Sequence, residues 1–225
     1  MTLVPAVAHA FHNGSVFDKP PGAGGGGGLF FTGSSRDRGW DCSICHIDPP
    51  NRLALVVTSQ PTELLADHAY TPGTAYQISI AFADPASQLG VAATRSNFNA
   101  MVTSFFDPSG ADAGSIGGLG TGQFYQRGNA ILASDSTTVN ETSWSFTWTA
   151  PPAGTGPVAF DLAVVDGNGA NATGQMTLTD PLGDDVAMQH VVLAEAGSSD
   201  FAIGFVRTVV VAVGRGCTTF ARVFI

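Results

Sequence analysis

Beyond residue 51 the chain alternates apolar residues with small or polar ones in several short stretches. In Tyr76-Gln77-Ile78-Ser79-Ile80-Ala81-Phe82 the large side chains fall at every second position, and Trp144-Ser145-Phe146-Thr147-Trp148 repeats that period. A period of two is the mark of a strand with one buried face. Six β-rich runs, over residues 53–58, 75–83, 97–106, 143–149, 158–165 and 186–194, are separated by clusters of Pro, Gly, Asp and Asn. Those clusters are turn formers, and no helical pattern of about 10–15 residues lies between the runs, so antiparallel sheets are expected rather than βαβ units. The expected fold class is all-β, an antiparallel sandwich over residues 51–195. Two further runs, 205–213 and 218–225, are expected within a C-terminal part, residues 196–225, that closes the sandwich edge or forms a hairpin across Gly214-Arg215-Gly216.

Residues 11–50 have no such period and are heavy in Gly and Pro, with Pro20-Pro21-Gly22 and a glycine run over 24–28. They read as a loop-built segment. A flexible linker is the first expectation for the glycines, and backbone passing close to a flat ligand is the second. Residues 1–10 end in Ala8-His9-Ala10, the small-x-small form of a signal-peptidase site. That pattern predicts the tail of an export signal with a mature chain from near Phe11, although an ordinary N-terminus fits it as well.

Composition narrows the function classes. With 225 residues, 44% hydrophobic and 12% charged, the chain can bury a sizeable core. A formal charge of -9 with a single lysine, Lys19, argues against nucleic acid, which needs clustered Lys and Arg; a solvated acidic surface is the first reading, and any electrostatic steering would favour a cationic partner. The longest apolar stretch, 209–213, is interrupted by Arg207, Gly214 and Arg215, so no membrane span is expected.

The chemistry concentrates in Cys42-Ser43-Ile44-Cys45-His46. Two thiols separated by two residues can add across the two vinyl groups of haem, and the histidine directly after them is placed to ligate the iron. One covalent c-type haem is therefore expected on Cys42 and Cys45, with His46 as the proximal axial ligand. A redox dithiol and half of a zinc site are the competing readings of the same spacing. Asp41 is a candidate cap for a short helix carrying the motif, which Pro49-Pro50 would end. Trp40 and Ile44 are candidate walls of a porphyrin face, or ordinary packing residues. For the distal iron position His12 is the first choice, because it lies in the same loop-built segment. The pair Met188 and His190 comes next, then His68, with Met101 and Met176 completing the candidates. Cys217, without a second ligand at motif spacing, reads as a buried thiol, with an intermolecular disulfide as the alternative. The stretch Asp166-Gly167-Asn168-Gly169-Ala170-Asn171 has oxygen ligands at alternate places, as calcium loops do, but reads better as a turn between strands.

Several motifs taken in order resemble a known family. They are Phe31-Thr32-Gly33-Ser34, then the C-x-x-C-H segment, then Tyr70-Thr71-Pro72-Gly73-Thr74-Ala75-Tyr76, then Trp148-Thr149-Ala150-Pro151 running on to Val158-Ala159-Phe160. The chain is similar, over about residues 24–195, to bacterial surface proteins in which a C-x-x-C-H segment precedes a reeler-like, choice-of-anchor-type Ig-like sandwich. The resemblance implies an exported β-sandwich at the cell surface or in the periplasm and implies no particular reaction. The expected function is an extracytoplasmic monohaem cytochrome passing single electrons to a redox partner or to neighbouring copies of itself in a homo-oligomer. A structural or adhesive surface module, with haem as a stabilising cross-link, is the alternative. A haem enzyme, which would need an open iron position, is the third reading.

Overall fold

A computed structural model of the chain describes residues 17–23, 25–44, 46, 53–84, 99–120, 123–134, 141–167 and 184–197. The C-terminal runs, Cys217, the export-signal pattern and most of the calcium-like stretch lie outside them. The fold is all-β. Among the described residues ten strands run in chain order as β1 (Leu55–Gln60), β2 (Ala69–Tyr70), β3 (Ala75–Phe82), β4 (Ala100–Phe106), β5 (Ser115–Gly117), β6 (Gln123–Arg127), β7 (Ala130–Ser134), β8 (Ser143–Thr149), β9 (Val158–Asp166) and β10 (Asp185–Glu195). One short helix, α1 (Glu63–Ala66), links β1 to β2.

The strands form two sheets, one of four in the order β1-β3-β8-β5 and one of six in the order β2-β10-β9-β4-β7-β6. All pairings are antiparallel except that of β2, whose two residues lie parallel to Ala194 and Glu195 of β10. Each of the six expected runs contains a strand. The four missed strands are the shortest ones, where a period of two has too few residues to register. Even so, β6 and β7 join through Gly128-Asn129, with Gly128 at φ 57, the glycine-first pattern of a tight hairpin.

Between the sheets lies one core, in which alternate residues of each strand meet. Tyr76, Ile78 and Ile80 of β3 stand beside Phe146 and Trp148 of the neighbouring β8, and Met101, Phe105, Phe160, Leu162 and Val164 come from the other sheet. Phe105 stacks at 4.6 Å on Trp148 and at 4.8 Å on Phe160, so aromatic contact spans the interior.

In the six-stranded sheet β4 and β9 are buried on both faces. The second cover is the loop-built segment: Phe17 and Phe30 pack on Val102, Phe106, Ala130, Leu132 and Ala163, with Phe31, Cys42 and Tyr125 at the margin of that cluster. The glycine run accordingly corrects the expectation of a flexible linker. Gly25 and Gly26 are buried, and a Cβ at Gly25 would run into the Lys19 carbonyl. Gly28 sits at φ 84 with the Arg127 guanidinium 2.6 Å from where its Cβ would be. The backbone folds on itself here, donating from Gly27 N–H to Lys19 O and from Gly28 N–H to Phe17 O, at 2.8 and 2.7 Å. The absence of side chains is used for close packing against protein.

Candidate functional site

The path to the C-x-x-C-H motif is a small hairpin docked on the outer face of the six-stranded sheet. Thr32 and Asp41 form an isolated antiparallel bridge, and Arg38 and Gly39 turn the chain between them at φ 61 and 74. Buried Asp37 holds the hairpin closed, accepting from the N–H groups of Phe30 and Thr32 at 3.0 and 2.8 Å and from the Thr32 hydroxyl at 2.6 Å. The Thr32 hydroxyl also meets Ser104 Oγ of β4 at 3.1 Å, which ties the hairpin to the sheet. Two ion pairs add to the docking, Arg36 to Asp112 at 2.7 Å and Arg127 to Asp18 at 2.8 Å, while the Arg36 guanidinium lies 4.5 Å over the Phe106 ring.

At the end of this hairpin the motif begins as a single 3-10 turn, Cys42–Ile44, rather than the expected helix. Asp41 starts the turn as a cap does: its Oδ1 accepts the Ser43 N–H at 2.7 Å. His46 N–H then donates to Cys42 O at 2.9 Å, so the histidine returns over the first cysteine. Cys42 is half-buried, with its thiol 3.7 Å from the Phe31 carbonyl, and the turn lies against β9. Cys45 falls outside the described residues. Trp40 and Ile44 are each 46% exposed, large apolar side chains with one side open to solvent.

The decisive contact is made by His46. Its Nδ1 lies 2.7 Å from Asp184 Oδ2, a carboxylate 138 residues away that immediately precedes β10. Both side chains are largely shielded from water. A carboxylate on one ring nitrogen sets the tautomer and aim of the imidazole and makes it a stronger donor, the arrangement usual for metal-bound histidine. Here Nδ1 is engaged and Nε2 is the nitrogen left to ligate. Nothing in the local sequence links Asp184 to the motif; only the pairing of β10 brings them together.

A second histidine is held the same way. His190 on β10 has Nδ1 2.6 Å from Asp161 Oδ1 of β9, its register partner, and this hydrogen bond raises the pKa of His190 above the usual histidine value. Ser104, Asp161 and His190 lie in one row across β4, β9 and β10. The carboxylate is in the middle of that row and the Ser104 hydroxyl meets Thr32, so the row makes no nucleophile and base pair. The other distal candidates divide clearly. Met101 is fully buried between the sheets, His68 lies beside β2 at the far end of β10, and His12 and Met176 lie outside the described residues. Met188 is on β10 and 54% exposed. Among the described residues, no three His, Cys, Asp or Glu side chains gather as a metal cluster, and no helix is long and apolar enough to cross a membrane.

The last two motifs of the family resemblance, the Tyr70–Tyr76 stretch and the stretch from Trp148, converge at the other end of β10. Thr71-Pro72-Gly73-Thr74 is a turn closed by Thr74 N–H to Thr71 O at 3.1 Å, with Gly73 at φ 73. The Tyr76 hydroxyl accepts the Thr71 N–H at 2.8 Å, and the Tyr70 hydroxyl donates to Gly156 O at 2.5 Å. Glu195 accepts the N–H groups of Gly154 and Gly156 at 2.8 and 2.9 Å, bonds that hold its carboxyl below the usual range. Burial first, and the Glu195 carboxylate second, push the Tyr70 phenol up to about 12. Trp148 lies beneath, against both tyrosine rings, with its indole N–H donating to Ala113 O at 2.9 Å. This corner is satisfied throughout and structural.

No protein-family model matches the chain, and no curated protein does. Among solved structures it is similar to the Reelin-N domain of F-spondin, at 17% identity over 68% of this chain and 94% of that one, with a TM-score of 0.42. The likeness is to reeler domains. The human F-spondin reeler domain gives 17% identity over 65% and 91% of the two chains with a TM-score of 0.38. A DUF4466 family protein from Parabacteroides merdae gives 16% over 64% and 44%, with a TM-score of 0.32. The all-β assignment rests on the strand registers, and nothing about chemistry is taken from these neighbours.

Proposed function

We propose that this chain binds one c-type haem through Cys42 and Cys45, with His46 as an axial ligand, and works as an exported electron carrier in the periplasm or at the cell surface. The observation that carries this reading is the His46–Asp184 pair: a histidine at motif spacing from two cysteines, with Nδ1 held by a carboxylate at 2.7 Å. The donor set fits the group. Cys42 is half-buried beside the apolar cluster of the sheet, and Trp40 and Ile44 offer apolar surface next to the motif. Haem supplies one-electron chemistry at its iron; the chain supplies ligation, burial and tuning through the Asp184 carboxylate. The net charge of -9 suits a cationic redox partner, or electron exchange between copies that meet through less acidic surface.

Expression of the full chain in a host that matures cytochromes c tests the reading. The expected result is a protein whose intact mass includes haem after acidic acetone extraction, with a reduced-minus-oxidised spectrum of c type. Cys42→Ser and Cys45→Ser should each reduce or abolish the haem-bearing product. A bare polypeptide mass would remove the proposed function.

A further inference from the structure

On the reading that haem is held at Cys42, Cys45 and His46, we infer that Met188 supplies the second axial ligand of the iron. Val191 and Leu193 of β10 point into the core. By the period of two, Asp184, Val186, Met188, His190 and Val192 line the outer face of the sheet, the face on which the C-x-x-C-H segment lies. Asp184 fixes His46 at one end of that line. At about 3.4 Å per residue, Met188 stands about 14 Å further along the strand and His190 about 20 Å. The shorter span is one that an Asp and a Met side chain, an imidazole and an iron between two ligands can fill.

Cross-strand pairing sets the lateral position. Met188 is opposite Ala163 of β9, and Ala163 belongs to the cluster against which Cys42 packs. By register, then, Met188 neighbours a residue of the cluster against which Cys42 packs, on the same sheet face as Asp184, the partner of His46. Met188 leaves 54% of its surface in water, burial that a ligand standing on β10 would restore. His190 is further away, and its ring is aimed by Asp161. Met101 is sealed in the core and His68 is at the other end of the strand. Met188 is thus preferred to His12, which lies outside the described residues.

The test uses the full haem-bearing chain and its Met188→Ala, Met188→His and His190→Ala variants. In the wild type a low-spin spectrum with the weak far-red thioether-to-iron band is expected. Met188→Ala should lose that band, become high-spin and bind added imidazole or carbon monoxide, with haem still attached by mass and an unchanged far-ultraviolet circular dichroism spectrum. Met188→His should restore a low-spin iron without the band and at a lower reduction potential, since methionine raises it. His190→Ala should leave the band in place. A wild type lacking the band, or a band that survives Met188→Ala, overturns Met188 as ligand while leaving attachment intact; a bare polypeptide mass overturns the haem reading and Met188 with it.

Discussion

The two ends of β10 make opposite uses of the same strand. At Glu195 the carboxylate, the Tyr70 hydroxyl and the glycine turn over 154–156 satisfy one another, and the Tyr76 hydroxyl accepts the Thr71 N–H beside them, above Trp148. At Asp184 the carboxylate instead holds a histidine from a distant loop, and beyond it the strand shows Met188 to solvent. An end whose polar groups are paired with each other contributes to stability. An end that aims a ligand nitrogen and leaves apolar surface exposed has capacity for something more. The contrast suggests that damage at the first end will be read in folding, and damage at the second in the chemistry of the motif.

The largest expected effect is Trp148→Ala. It removes a fully buried ring that touches Tyr70, Tyr76 and Phe105, and should cost about 3–5 kcal/mol in equilibrium urea unfolding. Next comes Asp37→Ala, which leaves the N–H groups of Phe30 and Thr32 without their acceptor and should cost about 1–3 kcal/mol. Limited proteolysis should then cut residues 17–44 faster while amide exchange in β3 and β8 stays protected. If both regions loosen together, the hairpin and the sandwich are one cooperative unit.

A smaller and pH-dependent effect is expected at Glu195. Its carboxyl is held below the usual range in the folded protein, so its contribution is present above the unfolded pKa and is lost as pH falls through the folded one. Thermal melts should show Glu195→Gln less stable than the wild type at neutral pH, with the gap closing in acid. A gap independent of pH would mean that the carboxylate charge is not what the glycine turn uses. The smallest effect on stability is expected for Asp184→Asn. On the proposed haem reading, that variant should keep the fold and the attached group but raise the reduction potential, because an amide makes the imidazole a weaker donor. An unchanged potential would show that the carboxylate does not tune His46.

Much of the fold was legible in the residues. The six β-rich runs each hold a strand, and in β3 and β8 burial of one strand face is written locally as alternation. The Tyr70 to Tyr76 stretch likewise announced a turn, since Pro72-Gly73 has few other uses. β5, β6 and β7 escaped because strands of three to five residues carry too little period. The glycine run misled, since composition alone cannot tell a flexible linker from a backbone packed on itself.

For the proposed site, sequence alone marked Cys42, Cys45 and His46 as candidate donors, because covalent attachment of a planar ligand would need them within one short stretch. The tertiary structure alone decided what lies around them. Asp184 meets His46 across 138 residues, and Met188 stands opposite Ala163 beside the same cluster as Cys42, because of where β10 pairs with β9. Register of that kind is set by packing over the whole sheet, and a shift of one residue would turn Met188 inward and Val191 out.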